Sequence, residues 1–288
     1  MSMYKKISFI GCGKTGKTIA KLISSKKLGE IEGIYNSTYT SSEATVKYLN
    51  QGKSCRHLYE LPQSDIYFIT TPDDMIENVC MMLTEQVVLK PGTIIVHCSG
   101  LLPSLVLTSA KRKGCYIASM HPIKSMANPD ISSSNFDNTY CSYEGDIQAK
   151  LVLKKLFENM GAIVFDVDRN SKSLYHTGLV IASNYMITLI YSATKCLENA
   201  GIKPSIAKKI NIKLIQDALV NLETMPWEKA LTGPLQRGDL STISSHLMSL
   251  KACPDIKEMY MALAKSTLDL VPQSNKATLL DFCNKNIE

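Results

Sequence analysis

An octapeptide near the start of the chain constrains its fold more than any other feature. Residues 11–18 read GCGKTGKT and directly follow a short apolar run, KKISFI. The octapeptide fits G-x-G-x-x-G, typical of the strand-to-helix turn of a dinucleotide-binding βαβ unit. It also fits G-x-x-x-x-G-K-[ST], a nucleoside triphosphate loop in which Lys17 reaches the terminal phosphates and Thr18 holds magnesium. Both patterns predict that the first turn binds phosphate.

The surrounding sequence favours the dinucleotide turn. Ala20, four residues beyond Gly16, keeps one helix face small where that face must press on the sheet. A triphosphate site also needs a second strand that ends in a magnesium-holding aspartate, and the best match, AIVFD at 162–166, lies far along the chain. A glycine turn without phosphate is a third alternative. We predict that five turn residues hold a pyrophosphate: Gly11, Gly13, Lys14, Thr15 and Gly16.

Composition indicates a globular protein with room for two domains. The 288 residues are 45% hydrophobic and 20% charged, and the net charge of +6 comes from lysines scattered along the chain. The modest positive electrostatic field that results suits an anionic cofactor, and it does not require a nucleic-acid-binding surface. Nine cysteines form no C-x-x-C pair and no zinc-ligand spacing, which predicts no metal site and a cytoplasmic location.

No membrane attachment is expected. The first residues lack the pattern of a signal peptide. Residues 173–194 contain no Asp, Glu, Lys or Arg, but His176 and Asn184 make this stretch too polar for a lone membrane span. We predict a buried central helix there, within a soluble domain or shared with a second subunit.

Apolar strands alternate with helical patterns through the first half of the chain, as in a parallel sheet wrapped by helices. Strands are predicted at 7–10, 31–35, 66–70, 93–96, 116–119, 139–143 and 163–167. Helices are predicted at 15–25, 42–51, 74–84, 103–113 and 146–160. After about residue 171 only helical signals remain, punctuated by prolines. The predicted fold is therefore α/β, with a Rossmann dinucleotide-binding domain at 1–168 and an all-helical domain at 169–288.

The second strand bears on the identity of the dinucleotide. It ends in Tyr35, Asn36, Ser37 and Thr38, where an NAD-binding turn would carry an acidic residue. No carboxylate is present to repel a 2′-phosphate, and Asn36, Ser37 and Thr38 can donate hydrogen bonds to one, so we predict that this turn binds the cofactor and that NADP is favoured. NAD stays an alternative, as does an ordinary turn that contacts no cofactor. Later strand ends should face the ribose and nicotinamide, because ligands of open α/β sheets bind at the carboxyl ends of strands. These residues are Thr70, Thr71, Ser99 and Gly100.

Three groups of polar residues are candidates for chemistry. His121 follows the fifth predicted strand and can relay a proton near neutral pH, or can merely brace the turn at Pro122. His176, Ser183 and Asn184 form a polar stripe in an otherwise apolar helix, which predicts His176 as general acid or base, with the other two orienting substrate. Arg237 can bind a substrate carboxylate or pair with Asp239. His97, within a strand, is expected to be a core residue.

The order of these motifs resembles a known family. The glycine turn, TTPD, HCSG, HP, YH followed by ASN, and LTGPLQRGD resemble a bacterial family of Rossmann-like proteins whose C-terminal half is a domain of unknown function. The resemblance implies a helical domain of the 6-phosphogluconate dehydrogenase type, commonly dimeric. It also implies distant similarity to pyrroline-5-carboxylate reductase and prephenate dehydrogenase. Relatives often place a catalytic lysine on the central helix, whereas this chain offers His176 and no lysine between 172 and 195.

The expected function is that of an NADP-dependent oxidoreductase acting on a small carbonyl, imine or alcohol. His176 is the predicted proton donor, helped by Asn184 and His121, and the expected assembly is a homodimer through the helical domain. A regulatory protein that binds NADPH without chemistry and a P-loop nucleotide hydrolase are the alternatives.

Overall fold

A computed structural model of the chain describes residues 5–286. Its main feature is a single eight-stranded sheet in the order β3-β2-β1-β4-β5-β6-β7-β8. All neighbouring strands are parallel except β6 and β7, which are antiparallel. The strands are β1 (Lys5–Ile10), β2 (Gly29–Tyr35), β3 (Lys53–Cys55), β4 (Ile66–Ile69), β5 (Ile94–His97), β6 (Tyr116–Pro122), β7 (Tyr140–Gly145) and β8 (Ile163–Asp166).

Helices connect the strands and then continue alone to the end of the described chain. Those associated with the sheet are α1 (Lys14–Ser25), α2 (Tyr39–Leu49), α3 (Ile76–Gln86), α4 (Thr108–Arg112), α5 (Pro129–Ser134), α6 (Ile147–Met160) and α7 (Lys172–Val180). A π-helical turn (Ile181–Tyr185) follows α7. The remaining helices are α8 (Met186–Asn199), α9 (Pro204–Thr224), α10 (Trp227–Ala230), α11 (Pro234–Arg237), α12 (Leu240–Ser249), α13 (Pro254–Thr267) and α14 (Gln273–Lys285). Short 3₁₀ helices lie at Leu58–Glu60, Asp73–Met75, Ser104–Leu107, Arg169–Ser171 and Leu250–Ala252.

The predicted fold class is confirmed, and each predicted strand is present within three residues of its expected ends. One strand was missed. β3 has only three residues, Lys53, Ser54 and Cys55, and lies at the edge of the sheet. Because a short edge strand with polar side chains lacks the apolar run of a buried strand, its sequence carries little signal.

The core lies on both faces of the sheet because side chains alternate along each strand. On β4, Phe68 belongs to the cluster on one face and Tyr67 to the cluster on the other. Phe68 stacks on Phe9 of β1 with ring centroids 5.0 Å apart. This burial fixes the register of the central strands and therefore the positions of the loops that follow them.

The chain divides into two compact units, Met1–Ala182 and Ser183–Glu288. The first unit keeps α7 with the sheet, whereas the sequence placed the domain boundary between 168 and 169; that boundary stays a prediction. The helical unit has small cores of its own, one of them formed by Ile243, Leu268, Val271 and Leu279.

The prediction of a buried helix at 173–194 is wrong for the single chain. The stretch is helical, but α8 contains no buried residue, and Ile187 is 68% exposed. The apolar composition was detected correctly, but within residues 5–286 most of these side chains stay exposed. In residues 5–286 there is also no helix long and apolar enough to span a membrane.

Candidate functional site

The glycine turn occupies only three residues between β1 and α1. Gly11 has φ of +74°, and a Cβ there would lie 2.3 Å from Cγ2 of Thr71, so no other residue fits without strain. A Cβ on Gly13 would meet nothing closer than the Gly11 carbonyl oxygen at 3.9 Å. The first helical hydrogen bond of α1 runs from Lys17 N–H to the Gly13 carbonyl at 2.8 Å. The N–H groups of Lys14, Thr15 and Gly16, in the first turn of α1, therefore have no acceptor within the helix, which suits an anion at this helix terminus.

Thr70 and Thr71, the two residues after β4, pack against the glycine turn. The Thr70 hydroxyl donates to the Gly11 carbonyl at 2.9 Å, and a Cβ on Gly16 would approach this hydroxyl to 2.5 Å. The neighbouring Thr71 hydroxyl is buried and has no hydrogen-bond partner among the described residues. An unpaired buried hydroxyl costs about 1–3 kcal/mol, so a ligand that bonds it would relieve that cost. The open amides and this hydroxyl fit a dinucleotide.

The same geometry disfavours the triphosphate loop. Because α1 begins at Lys14, the octapeptide forms a helix where that alternative needs a loop. The Thr18 hydroxyl is buried and donates to the Lys14 carbonyl at 2.9 Å, which leaves it poorly placed for magnesium. Asp166 on β8 is separated from β1 by four strands of the sheet and pairs with Lys150 at 2.6 Å.

The turn after β2 is tied to the glycine turn through Asn36. This residue is buried, and its Oδ1 accepts from the Cys12 N–H at 2.6 Å. Its Nδ2 donates to the hydroxyls of Ser41 and Thr45 on α2, at 3.2 and 3.3 Å. The side chain of Asn36 thus braces the turn, and the adjacent Ser37 is the exposed residue. Their contacts with a cofactor stay predictions.

A second group of polar side chains gathers where β5 and β6 end and α7 begins. We call it the carboxyl-edge cluster; its members are Ser99, Ser119, His121, Lys172, Tyr175 and His176. Lys172, the first residue of α7, is only 3% exposed. Its Nζ donates to the Ser99 carbonyl at 3.1 Å and to the Ser119 hydroxyl. A buried ammonium that is held by two neutral oxygens and by no carboxylate lowers the stability of the fold, so its presence here indicates a functional role.

Burial shifts the titration of this cluster. It lowers the pKa of Lys172 to about 8, although the charges of Glu144 and Asp73 favour the ammonium. Burial, together with the charges of Lys172 and His176, lowers the pKa of His121 to about 4. A lysine with a pKa near neutrality can give or take a proton under ordinary conditions.

The histidines of the cluster are packed around a glycine. His121 Nδ1 lies 2.9 Å from the Tyr175 hydroxyl, and the rings of His121 and His176 lie 6.3 Å apart in an edge-to-face arrangement. A Cβ on Gly100 would come within 2.8 Å of both imidazoles. His176 lies one helical turn after Lys172, on the same face of α7. The structure therefore brings the predicted His121 and His176 together.

Glu144 is a buried carboxylate whose charge acts on the carboxyl-edge cluster. Glu144 accepts from Ser104 N–H at 2.6 Å, from the Ser104 hydroxyl at 2.8 Å and from Arg169 Nε at 2.7 Å. Burial disfavours its charged form, but the bonds from Ser104 and Arg169 outweigh burial and hold its pKa below the ordinary value. Its negative charge acts on Lys172.

His97, beside the cluster, and Ser99, a member of it, are both held by contacts within the fold. His97 is fully buried, as expected for a core residue; burial, followed by the charge of Lys172, lowers its pKa to about 3. Ser99 is buried too; its hydroxyl donates to Asp73 at 2.7 Å and accepts from Leu101 and Leu102 N–H. Asp73 thus receives a bond from Ser99 and does not cap the next helix. Ser99 as a cofactor ligand stays a prediction.

Lys172 is the residue that sequence reasoning missed. The absence of a lysine was inferred from the stretch between 172 and 195, whereas Lys172 occupies the start of α7 itself. Its position four residues before His176 was the available signal, since residues at that spacing share a helix face.

The other predicted residues lie in the helical unit. Asn184 and Ser183 are neighbours in the π-helical turn, and their side chains bond each other at 2.9 Å. Arg237 ends α11, with Nη2 4.0 Å from Asp239. Asp239 caps α12 and accepts from Thr242, so it is only loosely paired with the arginine. Their contacts with substrate stay predictions. Within residues 5–286 no group of three or more His, Cys, Asp or Glu could hold a metal ion.

Sequence and structure comparisons place the chain among known folds. Residues 139–267 match the model of a family described as a domain of unknown function (DUF2520), which confirms the resemblance for that segment. The chain matches no curated protein sequence.

Three solved structures illustrate the likeness of fold. A candidate NADP oxidoreductase from Bacteroides fragilis is 19% identical, with a TM-score of 0.76 over 92% of this chain and 98% of that one. An imine reductase from Myxococcus stipitatus, solved with NADP⁺, is 15% identical, with a TM-score of 0.69 over 96% of this chain and 99% of that one. A 1-pyrroline-5-carboxylate reductase from Streptococcus pyogenes is 16% identical, with a TM-score of 0.61 over 96% and 100%. The fold is thus a Rossmann-like sheet followed by a helical region.

Proposed function

We propose that this protein is an NADP-dependent oxidoreductase that transfers a hydride between the nicotinamide and a small carbonyl, imine or alcohol. The observation that carries the proposal is Lys172, a buried lysine with a pKa of about 8. It lies at the carboxyl edge of the sheet whose first turn carries the glycines. Ligands bind at that edge in open α/β sheets. The NADP-linked descriptions of the structures from Bacteroides fragilis and Myxococcus stipitatus support the choice of cofactor.

The residues that would hold the pyrophosphate and the nicotinamide belong to two loops, the glycine turn and the loop after β4. The first turn of α1, with Lys14 and Thr15, would hold the pyrophosphate through backbone amides, and Gly11 and Gly13 would let it approach because they carry no side chain. Thr71, whose buried hydroxyl lacks a partner in the described chain, would bond the nicotinamide half. When bound, the nicotinamide supplies or accepts the hydride.

The carboxyl-edge cluster would manage the proton. A substrate that accepts a hydride gains charge on its oxygen or nitrogen, so a nearby acid must donate a proton as that charge develops. The Lys172 ammonium has three N–H donors. Two of them donate to Ser99 and Ser119, which leaves the third for substrate. His121, bonded to Tyr175, offers a neutral imidazole beside it. We therefore add Lys172 to His176 and His121 as the proton-transferring residues.

The experiment has two stages. Thermal unfolding of the full chain is measured with NADPH, with NADH and with ATP plus magnesium. Stabilisation by NADPH is expected, because a ligand that binds only the folded state raises its stability. NADPH oxidation is then followed by absorbance with small ketones, aldehydes and cyclic imines, and NADP⁺ reduction with alcohols. Stabilisation by ATP alone would refute the proposal. Stabilisation by NADPH without turnover of any compound would favour a regulatory protein.

We also propose that the protein forms a homodimer through its helical unit. Large apolar side chains on α8 and α9 are exposed in the single chain, among them Ile187 (68%), Tyr191 (63%) and Leu214 (61%). Monomers rarely expose apolar surface over two such helices, whereas obligate dimer interfaces resemble a core cut in half. Sedimentation analysis tests this, and a stable monomer would contradict it.

We also propose a cytoplasmic location, and its support is that the nine cysteines are free thiols.

A further inference from the structure

An arginine stands beside the turn that follows β2. β2 and β3 are parallel, and their register pairs Tyr35 with Cys55, the last residues of the two strands. The next residues are Asn36 and Arg56, so the two loops leave the sheet side by side at its carboxyl edge. Arg56 thereby lies next to the turn that, in this fold, contacts the adenine ribose.

The side chain of Arg56 is held in place by a tyrosine. Its guanidinium lies over the ring of Tyr39 at 4.3 Å from the centroid, within the range of a cation–π contact. Tyr39 is the first residue of α2, and its hydroxyl accepts from Ser54 Oγ at 3.5 Å. The stacking leaves the edge of the guanidinium, with its forked N–H donors, open for another partner.

No carboxylate neutralises this guanidinium in the described part of the chain. The nearby Glu60 accepts from the backbone N–H of Arg56 at 2.7 Å, and no ion pair between residues 5 and 286 includes the Arg56 side chain. The residue is exposed. An exposed, stacked arginine without an acidic partner suits a planar, multidentate anion.

We propose that Arg56, stacked on Tyr39, binds the 2′-phosphate of NADPH and determines the preference for NADP over NAD. The inference rests on the proposed function, because it requires a dinucleotide at the glycine turn. Ser37 and Thr38 lie in the loop after β2 and would contribute hydroxyl donors; Thr38 Oγ1 accepts from Ser41 N–H at 3.2 Å and keeps its own proton to donate. A phosphate monoester carries nearly two negative charges at neutral pH, and the arginine fork matches its oxygens.

The test compares dissociation constants of NADPH and NADH for the full-length protein, measured by titration calorimetry. The wild type is expected to prefer NADPH. Arg56→Gln should weaken NADPH binding about tenfold to a hundredfold, the value of a charge-assisted hydrogen bond, and leave NADH within about twofold. Arg56→Lys should lie between the two, because a lysine supplies charge without the fork. The probe pair 2′,5′-ADP and 5′-ADP should repeat the contrast without the nicotinamide.

Two further variants separate this role from general effects of charge and folding. Arg112→Gln removes the same charge from an exposed position at the end of α4 and should change neither constant. Tyr39→Leu removes the stacking platform and should weaken NADPH selectively. Thermal unfolding of each variant without ligand should match the wild type.

Each unfavourable outcome has a distinct meaning. If Arg56→Gln leaves the NADPH constant unchanged, or weakens both coenzymes equally, the assignment of Arg56 is overturned while the proposed oxidoreductase stands. A wild type that prefers NADH overturns the assignment in the same way. A wild type that binds neither coenzyme overturns the proposed function as well.

Discussion

Replacement of Lys172 by methionine should change how stability depends on pH. The ordinary lysine pKa is 10.5, and burial lowers that of Lys172 to about 8. Each pKa unit corresponds to about 1.4 kcal/mol, so the buried ammonium costs the folded state about 3 kcal/mol when both states are protonated. Only 3% of the residue is exposed, so solvent screening offsets little of this cost.

The sign of the effect follows from proton binding. Between about pH 8 and 10.5 the unfolded chain keeps the proton that the folded protein has lost, so wild-type stability rises with pH in that window. Below pH 8 both states are protonated and the full cost is present. Methionine fills a similar volume and cannot titrate. The free energy of unfolding of Lys172→Met relative to wild type should therefore fall by about 3 kcal/mol between about pH 7 and pH 10.5.

Urea unfolding followed by circular dichroism at several pH values measures this difference. Other titrating groups cancel, because they are common to both proteins. Lys155→Met, which removes an exposed lysine from α6, is the matched control and should show no comparable trend. A difference between Lys172→Met and wild type that stays constant across the window would refute the argument that Lys172 is a buried, titrating ammonium.

Three other changes test separate parts of the account. Gly11→Ala should destabilise the fold by about 2–4 kcal/mol through its positive φ and its clash with a neighbouring threonine, whereas Gly13→Ala should fold normally and lose NADPH binding; equal thermal midpoints would contradict the contrast. Glu144→Leu should cost about 2–4 kcal/mol in urea unfolding, since it leaves the buried N–H and hydroxyl of Ser104 unpaired and removes the carboxylate partner of the partly exposed Arg169; a loss below about 1 kcal/mol would be inconsistent. Because the pKa of His121 is lowered to about 4, the wild type should lose about 3 kcal/mol as pH falls from 6.5 to 4, and His121→Gln should not; parallel pH profiles would exclude this role.

The elements of the sheet were predictable because their signals are local. The apolar run at 5–10 and the glycines that follow fix a strand, a turn and a helix within about 20 residues, and β1 and α1 occupy those positions. The parallel order of the sheet follows from the alternation of strands and helices. His97 was correctly assigned to the core for the same reason, because it lies inside an apolar strand.

The site was less predictable because its chemistry depends on contacts between distant residues. In the sequence Lys172 resembles any lysine at the start of a helix. Only the fold shows that α7 brings it against the ends of β5 and β6, 73 and 53 residues away in sequence. The sequence predicts Asn36 as a cofactor ligand, but it does not show that the side-chain amide also donates to two hydroxyls of α2. Arg56 was overlooked because β3 was not recognised, and only β3 places it beside the turn after β2.

The central claim is that the carboxyl edge of the sheet holds NADPH with its redox ring near Lys172. A crystal structure of the protein grown with NADPH tests it most directly. The diphosphate should lie against the amides of Lys14 and Thr15, and the nicotinamide on the side of Thr71 and the carboxyl-edge cluster. Coenzyme bound elsewhere, or an empty turn in crystals that hold NADPH at another surface, would contradict it.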